Sequence, residues 1–296
     1  MTADNKISLR ALIKNTRMNH NISLADAISS SKSSLSRFEN GKTELAVDLM
    51  LDTFDRVGLS FFDLHVQTNH FTPFWEQTAD QLQLAIAAGD EARANRAIAA
   101  YAAATATQPS PLDEIYMILF HSMQQLCDFP HVLKSDCKLA TEDQHRVLDF
   151  LTGKTVWHLL DFMLLQYSQW FMTIEAAQTG FDLMAALVTD KELGNPNFLY
   201  RLAFFDAAVT IAQHLQMFGK DVTAPVRALT STALQIHMSP QRALLMHLII
   251  AQNQPKPTPE IATNISSLRT IGLAVLADRL QLWHTTSCDA QEATNE

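Results

Sequence analysis

The sequence predicts an all-α protein in two parts, a small helical domain at the amino end and a longer array of helices after it. From Phe71 onward, apolar residues recur at helical spacing, and prolines stand where the first turns of helices are expected. The 296 residues include eight glycines, so few positions favour a break in a helix. No segment shows the period-two alternation of a half-buried strand. We therefore expect helices throughout the chain and no sheet.

The first helix is predicted in the segment ISLRALIKNTRMNHN, residues 7–21. Leu9, Leu12 and Ile13 fall on one face at helical spacing, and a basic stripe falls on another face: Lys6, Arg10, Lys14 and Arg17. Ser23 is the expected N-cap of a very short second helix that contains Ala25, Ala27 and Ile28.

The third helix is predicted in SSKSSLSRFENGK, residues 30–42. It enters through Ser31, buries Leu35 and Phe38, and ends at Asn40-Gly41. A helix that starts in this way leaves backbone N–H groups available to an anion such as a DNA phosphate. Its polar positions carry donors that suit phosphates and base edges, namely Lys32, Ser33, Ser34, Ser36 and Arg37.

Two further amphipathic segments, residues 47–57 and 60–64, complete a five-helix domain over residues 1–66. This arrangement resembles the helix-turn-helix of the phage-repressor (Xre/Cro) type. The resemblance implies that Arg17 pairs with Glu39 to hold the first helix on the recognition helix. We expect Lys32, Ser33 and Arg37 to face base edges, and the phosphates to be held by Ser31, Ser36, Arg10, Lys14 and Lys42. The predicted second helix and turn are a few residues shorter than in most sequences of this type.

Charge is distributed in agreement with this division. Residues 1–43 hold seven Lys or Arg and three Asp or Glu, a net charge of +4. Residues 1–65 are neutral, so the other 231 residues carry the whole net charge of −9. Such a chain has one local basic face rather than a general affinity for polyanions. A single module of this charge should bind DNA weakly, which favours a dimer with two recognition helices.

The second domain is predicted as an α-helical repeat over residues 71–285, followed by a polar, disordered tail at 286–296. The expected helices are 73–88, 90–107, 111–127, 142–151, 156–173, 176–191, 196–218, 224–236, 240–252 and 259–284. Helix pairs recur about every 35–45 residues, the scale of tetratricopeptide-like or HEAT-like solenoids. The concave side of such an array suits a peptide or a partner helix.

Two motifs resemble the Rgg/GadR/MutR family of transcriptional regulators: ISSSKSSLSRFENGKTEL at residues 28–45, and EDQHRVLDFLTGKTVWHLLDFMLL at 142–165. The resemblance implies a homodimeric, cytoplasmic regulator that binds double-stranded DNA. Many members sense short hydrophobic peptides in the repeat groove, so we expect such a peptide or another small effector to control this protein. Some members carry a cysteine after the recognition helix. This chain has Leu45 there, so thiol-based switching at that site is not expected.

Candidate effector-binding residues follow from polar or aromatic positions in apolar helices. They are Arg201, Asp206, Tyr200, Phe204, Asn197, Trp157, Tyr167 and Arg146. An arginine in an apolar groove can hold a carboxylate with two hydrogen bonds. Each candidate also has a structural alternative: an ion pair inside the protein for Arg201 and Asp206, helix capping for the asparagines, and core packing for the aromatic rings.

Enzymatic and metal-binding signatures are absent from the sequence. The eleven histidines show no HExxH spacing, and there is no GxSxG, GxGxxG or phosphate-binding glycine loop. The three cysteines contain no CxxC, and no apolar run reaches the length of a membrane span. We therefore expect neither an enzyme nor a membrane protein, and no metal or cofactor.

Two alternative functions remain open at this point. In the first, the helical array is only a scaffold for dimerisation and protein docking. In the second, the helix-turn-helix does not bind DNA and the protein sequesters a partner.

Overall fold

The computed structural model describes residues 7–60, 63–64, 67–68, 72–128, 138–186, 198–229, 240–252 and 259–295. Every regular element in these ranges is a helix, as the sequence predicts. The chain divides into two compact units, Met1–Asp80 and Gln81–Glu296. None of the described helices is both long enough and apolar enough to cross a lipid bilayer.

The first unit contains α1 (Leu9–Asn19), α2 (Lys32–Glu39) and α3 (Val47–Val57), and α1 packs against the other two. The side chain of Ser8 caps α1 by accepting the N–H of Ala11 at 3.2 Å. The core of the unit consists of Leu12, Ile13, Ala27, Ile28, Leu35, Phe38, Phe54, Val57 and Leu64. Each large apolar side chain buried there contributes roughly 1.5–3 kcal/mol, so three short helices suffice to enclose a core.

The predicted second helix is wrong, because residues 24–27 form a turn. Ser23 Oγ accepts the N–H of Asp26 at 3.3 Å and donates to its carboxylate at 2.7 Å. The N–H of Ala27 bonds the carbonyl of Ser23 at 3.1 Å, which gives one helical turn. Ala27 and Ile28 are nevertheless buried, so the turn closes the core as a helix would. The predicted fifth helix, residues 60–64, falls partly outside the described residues. Among the described residues of this region, Asp63, Leu64 and Gln67 are helical.

The remaining helices begin with α4, which crosses the division between the units. They are α4 (Phe74–Ala88), α5 (Glu91–Thr105), α6 (Asp113–Gln125), α7 (Thr141–Leu151), α8 (Leu159–Ser168), α9 (Ile174–Ala186), α10 (Phe198–Met217), α11 (Thr223–Leu229), α12 (Pro240–Gln252), α13 (Pro259–Thr270) and α14 (Ala274–Asn295). Short 3₁₀ turns follow α6 at Leu126–Asp128 and α8 at Gln169–Phe171.

Helix α10 is the centre of the second unit, because it packs against α8, α9, α12 and α14. It is apolar on more than one side: Phe205, Ala208, Ile211 and Leu215 are all buried. A helix with this pattern needs neighbours around most of its circumference. The sequence predicts such an inner helix at this position.

Helix α8 begins later and ends earlier than the predicted helix at 156–173, and the later start has a local cause. The carboxylate of Asp161 accepts the backbone N–H of His158 at 2.7 Å, which caps the helix at His158. The same buried carboxylate accepts a hydrogen bond from Lys154 Nζ at 2.5 Å. The residues before Leu159 therefore form a connection that is tied to the first turn of α8.

The predicted helix at 259–284 is two helices, α13 and α14. Gly272 lies between them with φ of +88°, a backbone conformation that favours glycine. The N–H of Leu273 reaches back to the carbonyl of Leu268 at 2.9 Å, which closes the end of α13. The predicted disorder of the polar tail is also wrong, because α14 continues to Asn295. Ser287 is buried and Cys288 lies 3.5 Å from the side-chain nitrogen of Gln252, so packing holds this stretch in a helix.

Candidate nucleic-acid interface and effector cavity

Helix α2 has one buried and one exposed side. Leu35 and Phe38 enter the core of the first unit, whereas Lys32, Ser33 and Arg37 are exposed. Ser31 caps the helix by accepting the N–H of Ser33 at 3.2 Å, and the hydroxyl oxygens of Ser31 and Ser33 lie 2.5 Å apart. The exposed side of α2 therefore presents hydroxyl and ammonium donors in its first turn and a guanidinium donor in its last turn.

Arg17 and Glu39 join α1 to the end of α2. Arg17 Nε and Nη2 donate to the two carboxylate oxygens of Glu39 at 2.7 and 2.9 Å, and Nη1 donates to the carbonyl of Ile22 at 2.9 Å. The Glu39 side chain is only 4% exposed. This hydrogen bonding to Glu39 holds the pKa of Arg17 above its ordinary value. The two-point geometry fixes the orientation of α2 relative to α1.

The other predicted DNA contacts differ in exposure. Lys42 is exposed, whereas Lys14 and Ser36 are half-buried. Arg10 contacts the carboxylate of Glu44, and its guanidinium lies over the ring of Phe38 at 5.4 Å. Arg10 is therefore engaged within the protein in the absence of DNA.

A cavity of about 530 Å³ lies in the second unit. Its walls come from α4, the turn after α6, α8 and the turn after it, α10, α12 and α14. The lining is mostly apolar, with a few polar groups: Gln83, Gln166, Tyr167, Asp206, Thr210, Gln213 and Arg279. Trp170, Trp283, Val209, Met217, Leu276 and Leu280 supply much of the apolar surface.

The polar groups of the cavity have distinct electrostatic settings. Burial raises the pKa of Tyr167 to about 12, with a smaller contribution from the nearby charge of Asp206, so the phenol stays neutral at physiological pH. Trp283 is 3% exposed, and its indole N–H has no hydrogen-bond acceptor among the described residues. Asp206 and Arg279 place opposite charges on the cavity wall. The cavity thus combines apolar surface with neutral hydrogen-bonding groups, one acidic side chain and one basic side chain.

A buried histidine, His214, packs against Trp170 in the wall of the cavity. The His214 ring lies against Trp170 with ring centroids 4.6 Å apart, and its Nδ1 hydrogen-bonds the side-chain oxygen of Gln169. Burial lowers the pKa of His214 to about 4, so the imidazole is neutral at physiological pH.

Two of the predicted effector residues, Asp206 and Tyr167, line this cavity, and three others do not. Phe204 and Trp157 are core residues that pack on Phe162, with ring centroids 5.7 and 5.5 Å from it. Arg146 forms ion pairs with Glu114, Glu142 and Asp143 instead. These residues were predicted from their aromatic or basic character. The same character equally suits core packing and surface ion pairs.

The other predicted effector residues lie outside what the structure describes. Asn197 is not among the described residues, and the side chains of Tyr200 and Arg201 are not described. Three further lining residues, Gln83, Arg279 and Trp283, were not predicted, because they come from helices distant in the chain.

Comparison with known proteins relates this architecture to solved structures. No protein-family model matches the sequence, and no curated protein matches it either. The crystal structure of the Streptococcus dysgalactiae SHP pheromone receptor Rgg2 aligns with a TM-score of 0.68 at 13% identity, over 94% of this chain and 99% of that one. The chain has an Rgg-type fold. A putative transcriptional regulator from Listeria monocytogenes EGD-e aligns with a TM-score of 0.71 at 15% identity, over 96% of this chain and 98% of that one.

Proposed function

We propose that this protein is a sequence-specific, DNA-binding transcriptional regulator that acts in the cytoplasm as a homodimer. The observation that carries the proposal is the two-sided α2, which buries Leu35 and Phe38 and exposes Lys32, Ser33 and Arg37. Basic and hydroxyl donors on the outer side of a helix in a helix-turn-helix suit the major groove. The Arg17–Glu39 pair supports this proposal because it fixes the orientation of that helix.

Neutralising the exposed cations of α2 tests the DNA-binding part. Lys32→Gln with Arg37→Gln should weaken the binding of duplex DNA by at least about tenfold, because both cations are proposed to face base edges and a base-reading arginine alone contributes roughly 1–3 kcal/mol. Fluorescence anisotropy with labelled duplex measures the change.

The matched control is Arg96→Gln with Lys138→Gln, which removes the same charge at exposed positions of the second unit. If both double variants bind as the wild type does, α2 is not the DNA-binding element. If the wild type itself shows no salt-sensitive binding, the protein is better explained as one that sequesters a partner.

We further propose that a short hydrophobic peptide occupies the cavity of the second unit and controls the regulator. A volume of about 530 Å³ lies within the usual range of small-ligand sites, and mostly apolar walls with few polar groups are typical of them. Rgg2, which shares the fold, is described as a pheromone receptor. Tyr167, Asp206 and Arg279 would hydrogen-bond the peptide backbone and its termini.

Filling the cavity tests the effector proposal. A panel of synthetic short hydrophobic peptides should contain members that raise the melting temperature of the wild type, because binding to the folded state stabilises it. Thr210→Phe should abolish the rise by occupying the cavity, whereas Thr179→Phe, at an exposed position of α9, should preserve it. If no peptide stabilises the wild type, the array is better explained as a scaffold.

A further inference from the structure

We propose that Glu44 occupies, in the DNA-free protein, the anion position at Arg10 that a DNA phosphate takes in the complex. Glu44 would then set the affinity threshold for DNA. The inference rests on the proposed DNA-binding function, and it concerns the loop that follows α2 rather than the helix itself.

The geometry around Arg10 describes an arginine prepared for an anion. Its guanidinium lies over Phe38 of α2, at 5.4 Å from the ring centroid, and its Nη2 contacts the carboxylate of Glu44. Its Nε is buried and has no acceptor among the residues that the structure describes. The arginine is thus held in place by α2, and its outer edge faces an anion.

Glu44 differs from an anchoring carboxylate in its exposure. Its side chain is 81% exposed, whereas the side chain of Glu39, which binds Arg17, is 4% exposed. Exposed ion pairs contribute little to stability, so another anion can displace Glu44 at small cost. A phosphate at the same position gains a charge-assisted hydrogen bond to the guanidinium.

The position of Glu44 in the chain ties this contact to the DNA interface. It lies two residues after Lys42 and five after the end of α2, on a stretch where residues 40–44 are exposed. A carboxylate in this place competes with DNA phosphates for the guanidinium of Arg10. Weakly matched DNA then gains less from binding, because each complex must first release Arg10 from Glu44.

A double-mutant cycle in the full-length chain tests the proposal. Glu44→Gln should strengthen the binding of a fluorophore-labelled, mixed-sequence duplex by about three- to tenfold at low salt, because Arg10 no longer has a competing anion. Arg10→Gln should weaken binding. In the Arg10→Gln background, Glu44→Gln should change the affinity by less than about twofold, since the two residues act as one unit.

One control variant and two possible outcomes of the cycle distinguish displacement of Glu44 from long-range repulsion and from a structural ion pair. Glu175→Gln changes the net charge equally at an exposed position of the second unit and should leave DNA affinity unchanged. A gain from Glu44→Gln of equal size in both Arg10 backgrounds would show simple long-range repulsion and overturn the proposal. Weaker binding by Glu44→Gln, with a lower midpoint of urea unfolding, would show a structural ion pair and also overturn it.

The proposed function and this inference fail in different ways. If neither the wild type nor Glu44→Gln binds duplex DNA, both are wrong. If the wild type binds duplex DNA and Glu44→Gln binds no more tightly, the inference alone is wrong.

Discussion

Arg17 and Glu39 illustrate how one pair of residues can serve both the fold and the proposed interface. Their carboxylate–guanidinium contact is largely withdrawn from water, and Arg17 also satisfies the carbonyl of Ile22. A buried pair of this kind adds little net stability compared with apolar side chains. The removal of one partner, however, leaves the other as an unpaired buried charge, which is strongly destabilising. The pair is therefore best understood as a device that specifies the angle of α2.

Removal of one partner gives the first prediction. Arg17→Ala should lower the free energy of unfolding by about 3 kcal/mol and weaken DNA binding, because Glu39 is left buried without its counter-charge. Replacing both residues, as Arg17→Met with Glu39→Leu, should recover most of the stability. Urea unfolding measures the first effect and fluorescence anisotropy the second.

The comparison variant for that experiment is Arg56→Ala. Arg56 binds Asp52 in a more exposed i,i+4 pair at 2.8 Å, so its loss should cost about 0.5 kcal/mol or less. Equal costs for Arg17→Ala and Arg56→Ala would contradict the assignment of Arg17.

His214 gives a second prediction at the residue scale, on the pH dependence of stability. Its pKa is about 4 in the folded protein, against about 6.5 in an unfolded chain. Below about pH 6.5 the His214 imidazole binds a proton in the unfolded state but stays neutral in the folded state until the pH approaches 4. Stability is therefore complete above pH 6.5 and falls as the pH decreases toward 4, by a total of about 3 kcal/mol from this group.

The measurement is the unfolding free energy of the wild type and of His214→Gln between pH 7 and pH 4.5. The variant should lose less stability than the wild type over that range, because glutamine does not titrate. His145→Gln, at an exposed position of α7, should follow the wild-type profile. Identical profiles for all three proteins would show that burial of His214 does not affect the linkage.

At the scale of the helices, Gly180 of α9 lies close to the side chain of Leu165 of α8. A Cβ atom added to this buried glycine would clash with Cδ1 of Leu165, because the two atoms would be 2.4 Å apart and Leu165 is itself fully buried. The two helices therefore depend on the missing side chain for their spacing.

Gly180→Ala tests that spacing. The clash with Leu165 should outweigh the roughly 0.5–1 kcal/mol that alanine gains over glycine within a helix, for a net loss of about 1–2 kcal/mol. Combining Gly180→Ala with Leu165→Val should cost less than the sum of the two single changes, because each relieves the other. Additive losses in thermal or urea unfolding would show that the contact is not limiting.

The elements also show what a sequence can and cannot reveal about this fold. Prolines at 240 and 259 begin α12 and α13, where the sequence predicts helix starts. The break at Gly272 was missed because apolar residues continue in helical register on both sides of it. The composition at the end of α14 is polar and therefore does not predict a helix, although Ser287 is buried.

The lining of the cavity could also be predicted only in part from the sequence. Local periodicity identifies α10 as an inner helix and marks Asp206 as a polar residue in apolar surroundings. It carries no information about which distant helices complete the walls. Gln83, Arg279 and Trp283 join the cavity through the packing of α4 and α14, and no local pattern distinguishes them from surface or core residues.

At the scale of the whole molecule, charge is the property most relevant to the proposed function. The chain carries −9 overall, yet residues 1–43 carry +4. Attraction to DNA is therefore local and opposed by the rest of the protein, which favours binding by paired modules over binding by one.

The salt dependence of DNA binding gives the fourth prediction and reports the number of modules. Three basic residues are proposed to hold phosphates in each copy: Arg10, Lys14 and Lys42. If each neutralises one phosphate, a plot of log K against log salt should have a slope of roughly −3 for one copy and roughly −5 for a dimer on two half-sites. Anisotropy titrations over a range of salt concentrations measure the slope, and a value near about −3 on a two-site operator would contradict dimeric binding.

The position of α10 has a consequence for how the protein can diversify. This helix packs on four others and also contributes Asp206, Val209, Thr210 and Met217 to the cavity. A substitution that reshapes the cavity from α10 therefore alters core packing as well. New chemical preferences at this helix should arise together with compensating changes in its neighbours, whereas the walls formed by Gln83 and Arg279 can vary more independently.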